Sequence, residues 1–270
     1  MRRYILMLFI APLLMTGCLT IANGGQPRNL LTSEDERKIG DKLSAEIEKK
    51  EKLLDDPKLQ AYVSNVGRRL AATAERQDVD YQFKVIDAAD TVNAFALPGG
   101  HMYIYTGLLK ICANEAELAS VMAHEIAHVS CYHHGEAITR ICEIQAFSNL
   151  LLGGSESQLA QLAGGLAGKT YMNYFSKGNE YEADAYGMAY LFRAGYQPDA
   201  MISFMQKLGG ENQQRGILAA YVVQLFSTHP PTQERVMHLI ALEQRIPADR
   251  RANGQTYADR YKQEVLSRFH

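Results

Sequence analysis

The stretch His124-Glu125-Ile126-Ala127-His128 constrains this chain most, because it asks for a helix at a fixed place. Residues Asn114 to Ala123 before it contain neither glycine nor proline and are rich in strong helix formers. On such a helix His124 and His128 stand at i and i+4, on one face. Two imidazoles so placed can bind one tetrahedral metal ion, with Glu125 beside it. A metal held by three protein ligands keeps one position for water and lowers that water's pKa to about 7. Glu125 can then take the proton as the water attacks a carbonyl. A short motif also arises by chance in a helical surface segment, so the rest of the chain has to supply the remaining ligand.

With 270 residues, 47% of them hydrophobic and 21% charged, the chain can bury a full core. A net charge of −2 argues against a nucleic-acid partner, since nothing would neutralise a phosphate backbone. At the start, Arg2 and Arg3 precede an apolar run from Tyr4 to Leu14, followed by Met15-Thr16-Gly17-Cys18. The run is short for a membrane span, so residues 1–17 read as an export signal. Their ending resembles a bacterial lipobox, with Met15 where leucine is usual; Cys18 would then carry lipid and become the mature N-terminus. A plain signal peptide or an uncleaved anchor is the alternative. Leu19 after the cysteine favours the outer membrane in the lipoprotein pattern. The expected setting is therefore the periplasm, with the chain held to the membrane by its N-terminal lipid and residues 18–31, containing Gly24-Gly25 and Pro27, as the tether. Cys112, Cys131 and Cys142 remain, an odd number. On one continuous helix Cys131 and Cys142 lie about three turns apart, too far to bridge. A disulfide would need Cys112 or a break in that helix; three small buried thiols are the alternative.

The domain is expected over residues 32–245. Ser33 with Glu36 suggests a capping box, and Ile39, Leu43 and Ile47 repeat at helical spacing toward Leu54. Asp56-Pro57 starts a second helix, with Leu59, Val63, Val66 and Leu70 as its buried stripe. Residues 81–86, 91–97 and 101–106 read as strands, the last two joined through Pro98-Gly99-Gly100. Asn93 to Ala96 is the candidate edge that would pair with an extended substrate; an ordinary core strand is the alternative. His101 in this sheet reads as structural. So does His238, and His133 and His134 read as surface or capping residues past the motif helix. The apolar stretch interrupted by Gly153-Gly154-Ser155 and Gly164-Gly165 reads equally as a lid over the cleft or as a loosely packed helical hairpin.

A second helix is expected from Asn179 to Ala194, stopped by Gly195. Glu180 and Asp184 share one of its faces, whereas Glu182 lies about 200° round from Glu180 and cannot serve the same metal. A carboxylate presented to the metal, followed one turn later by a second that can hold a ligand histidine by its free N–H, is the arrangement a two-histidine helix needs. His229, fixed in a loop by Pro230 and Pro231, can reach the same cleft or lie on the surface. Residues 246–270 form a polar tail, in which Tyr257, Tyr261, Val265 and Phe269 recur every fourth position; this suggests a terminal helix packed on the body.

Taken together, five stretches resemble the zinc metallopeptidase family of HtpX and the CAAX prenyl proteases, in particular its compact periplasmic lipoprotein branch. They are Val92 to Gly100, Tyr105-Thr106-Gly107-Leu108-Leu109, His124 to His128, Glu180 to Asp184 and Thr228-His229-Pro230-Pro231. The string Asn179 to Asp184 is also similar to the third-ligand motif of thermolysin-like enzymes. The likeness covers roughly Leu53 to Gln244. It implies one Zn2+ per chain held by His124, His128 and Glu180, with Glu125 as general base. Asp184 matches a position that orients a ligand or donates a proton. His229 matches a histidine that occupies the open position at rest or stabilises the oxyanion. Family members with several membrane spans differ from this chain, which has no such segment after residue 17, and the part after His229 is short for a repeat array.

The expected fold is mainly helical α+β, gluzincin-like, with a small sheet and the zinc site between two antiparallel helices. The expected activity is endopeptidase cleavage of misfolded or unassembled envelope proteins. The alternative is a chaperone-like assembly factor with a latent or structural metal site, in contact with envelope assembly machinery.

Overall fold

A computed structural model of the chain describes residues 29–152, 175–209, 222–223, 225 and 229–269. The expected signal segment 1–17, Cys18, most of the tether and the glycine-interrupted stretch 153–165 lie outside the described residues.

Two helices open the domain. Helix α1 spans Ser33–Lys50 and α2 spans Pro57–Ala71. The capping box of α1 sits one residue earlier than the sequence suggested: Thr32 caps, and Asp35 returns the bond to the Thr32 N–H at 3.0 Å. Glu36 is instead drawn inward, buried and ion-paired with Arg76 at 2.5 Å. Helix α1 also stops before Leu54, since Leu53 leaves it to bridge Ile86. At α2 the Asp56 side chain accepts from the Lys58 and Leu59 N–H groups, Pro57 follows, and the stripe Leu59, Val63, Val66 and Leu70 is buried as expected.

The sheet is small. Strands β1 (Gln82–Ile86), β3 (Ala94–Ala96) and β4 (His101–Tyr105) form it in the order β1-β4-β3, with β1 parallel and β3 antiparallel to β4. Among the described residues strand β3 is therefore at the edge, as the sequence suggested. Strand β2 (Thr91–Val92) pairs separately with β5 (Val222–Val223). The turn between β3 and β4 needs Gly99: its φ is +76°, and a Cβ there would stand 2.6 Å from the Arg37 Cα. His101 hydrogen-bonds Asp41 at 2.8 Å, a structural role.

After the short α3 (Thr106–Ile111), α4 (Glu115–Ser130) runs through the centre of the domain with every residue buried. Helix α5 (His133–Leu152) follows, then α6 (Lys177–Arg193) and α7 (Asp199–Gly209). Ser176 and Asn179 form the capping box of α6, and Gly195, at φ +78°, ends it. Helices α4 and α6 pack intimately and run in opposite senses. Gly187 faces the His124 backbone, while Tyr196 just past α6 reaches back to Glu115 at the start of α4 at 2.7 Å. An added Cβ on Gly187 would lie 3.1 Å from the His124 Cα, so this glycine permits the approach.

Helices α8 (Gln233–Glu243), α9 (Ala248–Arg251) and α10 (Ala258–Glu264), with a final 3-10 turn at Leu266–Phe269, complete the described chain. Tyr261 and Val265 are fully buried, and the Tyr261 hydroxyl donates to the Leu109 carbonyl at 2.7 Å. The tail thus packs on the body as its four-residue spacing suggested. Among the described residues, no helix is long and apolar enough to cross a membrane. Cys112, Cys131 and Cys142 are free thiols.

One expectation fails at the end of α4. The motif helix does not continue: it breaks at Cys131 and Tyr132, where Tyr132 adopts φ +61°. The Arg76 guanidinium holds the break, lying 4.1 Å over the Tyr132 ring and donating to the Val129 carbonyl at 3.1 Å. His133 and His134 are consequently buried, not surface residues. Cys131 and Cys142 also do not share a helix.

Candidate metal centre

Helix α4 supplies the first donors. Asn114 caps it by accepting from the Glu117 N–H, and the helical spacing stacks His124 above His128 with their Nε2 atoms 3.1 Å apart. Helix α6 supplies the next. Glu180 reaches both rings, with Oε2 3.5 Å from His124 Nε2 and Oε1 3.4 Å from His128 Nε2. One turn on, Asp184 Oδ1 lies 3.1 Å from His124 Nδ1, the side of that ring turned away from the cluster. His229 comes from the loop before α8, its Nδ1 2.9 Å from Glu180 Oε1 and 3.4 Å from His124 Nε2. The structure thus brings together His124, His128, Glu180, Asp184 and His229 from the residues the sequence proposed. His238 lies against Tyr181, apart from the cluster.

The donor set fits one metal ion. His124, His128, Glu180 and His229 each offer an atom, and these atoms lie within 4.8 Å of one another, all buried. Donors about 2.1 Å from a tetrahedral zinc ion stand about 3.4 Å apart, close to the separations here. Imidazole and carboxylate donors also suit zinc chemically.

The electrostatics point the same way. Burial favours the neutral form of Glu180, yet His229, His124 and His128 outweigh it and hold the carboxyl ionised far below its usual range. Burial likewise opposes charge on His124, but Asp184 and Glu180 overcome it and raise its pKa to about 9. His128, buried and beside other imidazoles, is pushed well below its ordinary value and stays neutral. The buried carboxylates of Glu180 and Asp184 thus draw positive charge to the cluster, from the Arg235 guanidinium that touches both and from His124.

Glu125 sits on the adjoining face. Its Oε2 accepts the Ala96 N–H of β3 at 3.1 Å, and its Oε1 faces His229 Nε2 at 3.5 Å. The base is thus aimed between the sheet edge and the cluster.

Four contributors were not legible in the sequence. Arg235, at the third position of α8, grips Asp184 with two bonds, 2.8 Å from Nε and 2.6 Å from Nη2, and places Nη1 2.8 Å from Glu180 Oε2. It holds Asp184 ionised despite burial. The Thr232 cap locates the helix, but nothing local says that Arg235 turns inward. His133 Nδ1 lies 3.0 Å from His128 Nδ1, and Glu182 Oε2 lies 3.3 Å from His133 Nε2. Glu182 is off the metal, as its angular position required, yet it touches the site through His133. Phe175 stacks on the His128 ring at 4.4 Å.

Comparison with known proteins agrees with this geometry. The model of peptidase family M48 matches residues 57–243. The chain is 30% identical over 253 residues to the beta-barrel assembly-enhancing protease of Yersinia pestis, covering 84% of this chain and 51% of that protein. Its likeness to the protein of the same name in Escherichia coli K12 is 32% over 222 residues, covering 79% and 45%. To the mitochondrial metalloendopeptidase OMA1 of Schizosaccharomyces pombe it is 33% over 177 residues, covering 65% and 50%. The chain spans about half the length of these curated relatives.

Proposed function

Because the family model spans residues 57–243, the chain belongs to peptidase family M48, a family of zinc-dependent metallopeptidases, and from that membership we propose that it is a zinc endopeptidase. One observation carries the reading: Glu180, from a helix distant in sequence, meets both imidazoles of α4 at 3.4 and 3.5 Å, with Glu125 beside them. When bound, the zinc ion supplies Lewis acidity toward a carbonyl and toward water. The chain's residues do the rest. Glu125 accepts the proton on Oε1, since Oε2 is engaged by Ala96. Asp184, clamped by Arg235, keeps the His124 ring in place. Asn93 and Leu97 turn their backbone groups toward β4, so those of Ala94 and Ala96 face away from it, on a buried side where Glu125 already takes the Ala96 N–H.

A cavity of about 50 Å3 adjoins His124 and Glu125, lined by Val121, Met201, Phe204, Met205, Leu208 and Leu225. It suits one apolar side chain flanking the cleaved bond. Unfolded chains present both extended backbone and apolar side chains, which supports misfolded or unassembled envelope proteins as the substrate class. The beta-barrel assembly-enhancing proteases by name act in assembly, and a periplasmic site with Cys18 lipidated at the outer membrane completes the proposal.

A second reading has an observation of its own. With His229 the cluster has four protein donors, the closed pattern of structural zinc sites. On this reading the protein is a latent enzyme, or an assembly factor whose metal is structural. Glu125→Gln tests the first reading, because it removes the base and leaves every donor. Loss of casein cleavage with zinc content retained supports an endopeptidase; undiminished cleavage sinks it. His229→Ala separates gate from catalyst: faster cleavage identifies a gate, slower cleavage a catalytic group.

A further inference from the structure

We infer that His133 and Glu182 are positioning residues that hold the His128 ring on its metal, a counterpart to the Asp184 and Arg235 pair behind His124. The inference rests on the cluster being a metal site. The argument is one of hydrogen placement. His128 turns Nε2 into the cluster, 3.1 Å from His124 Nε2 and 3.4 Å from Glu180 Oε1. An imidazole that donates a lone pair from Nε2 carries its hydrogen on Nδ1. Buried as it is, that N–H needs an acceptor, and His133 Nδ1 lies 3.0 Å away. A nitrogen that accepts has no hydrogen, so the hydrogen of His133 is on Nε2. There Glu182 Oε2, which can only accept, stands at 3.3 Å. Every hydrogen from Glu182 to the donor atom is thus fixed by what the next group requires.

The fold puts this chain together deliberately. The positive φ at Tyr132 swings His133 back over the end of α4, and Arg76 over the Tyr132 ring keeps it there. Helix α6 then serves the site from two faces: Glu180 and Asp184 inward, Glu182 on the other side to His133. The two ligand histidines differ in their support. His124 is backed directly by a buried carboxylate, whereas His128 is backed by a neutral ring whose own carboxylate is 37% exposed.

The test measures the zinc dissociation constant of the full protein by competition with a chromophoric chelator, together with the melting temperature in excess chelator. His133→Phe keeps a ring of similar shape and removes the acceptor, and it should weaken zinc binding by about 10–100-fold. Glu182→Ala should weaken it several-fold. Glu182→Gln should restore near wild-type affinity, because its amide oxygen accepts the same N–H. The chelated melting temperature should not separate the two Glu182 variants. Equal affinity for Glu182→Ala and Glu182→Gln, or wild-type affinity in folded His133→Phe, overturns the inference. Should His133→Phe fail to fold, the Glu182 pair decides alone. Failure of the wild-type chain to bind zinc at all would instead overturn the metal site itself.

Discussion

In the first half of α4, Glu115 is held by the hydroxyls of Tyr62 and Tyr196 and by the guanidinium of Arg260, and Glu117 by Lys207, Ser203 and the Ala113 N–H. In the second half, Glu125 uses one oxygen on Ala96 and leaves the other facing His229 Nε2. Among the described residues neither of those two facing atoms has a hydrogen-bond partner. Both halves are equally buried. Burial of a carboxylate therefore does not mark a site by itself. What distinguishes the second half is incompleteness: polar atoms aimed at one another across a gap that the protein does not close. A satisfied network rigidifies, whereas an unsatisfied one invites a ligand.

Substitutions in the two halves should accordingly separate activity from stability. The largest effect is expected at Glu125→Gln, a loss of about 10²–10⁴-fold in kcat/KM. Its melting temperature should stay at or above that of the wild type; a destabilised variant would make Glu125 part of the structural network. Chelation comes next. Removing zinc held at a thousand times its dissociation constant should lower stability by about 4 kcal/mol, read as a fall in melting temperature that added zinc reverses. Lys207→Met should do the converse of Glu125→Gln. It deprives the buried Glu117 of its cation, costing about 2 kcal/mol in denaturant unfolding, with kcat/KM of the folded protein unchanged. The smallest effect is expected on the outer helix α1. Arg37→Ala breaks exposed pairs with Glu34 and Asp41 and should leave the melting temperature unmoved. A clear shift there would blunt the contrast between buried and exposed charge.

What could be read from the sequence was what local rules govern. Helical spacing placed His124, His128, Glu180 and Asp184 on the right faces, alternation and Pro98-Gly99-Gly100 gave the hairpin, and proline after Asp56 started α2. What could not be read depends on tertiary contact. Thr32 takes the cap from Ser33 because Glu36, the expected return partner, is drawn inward by Arg76. The break after α4 carries no glycine or proline; a tyrosine holds a left-handed conformation because Arg76 packs on its ring. From that break follow the burial of His133 and its contact with His128. No local pattern singles out Arg235, and only the proximity of α6 to α8 gives it Asp184 to hold. The outer place of β3 in the sheet was legible; its tie to Glu125 through Ala96 was not.

Gly187 has a consequence for how the centre keeps its dimensions. It lets two helix backbones touch where Asp184, with its one-carbon stem, must span from one to the other. The aperture of the cation cage is thus gauged by a hydrogen atom, and the smallest possible enlargement of that residue acts as a wedge at a hinge line. Gly187→Ala would press the two helices apart and lengthen the reach of Glu180 to His124 and His128 while leaving the spacing of the two imidazoles unchanged, so a side chain that coordinates nothing would govern which ionic radius the cage accepts.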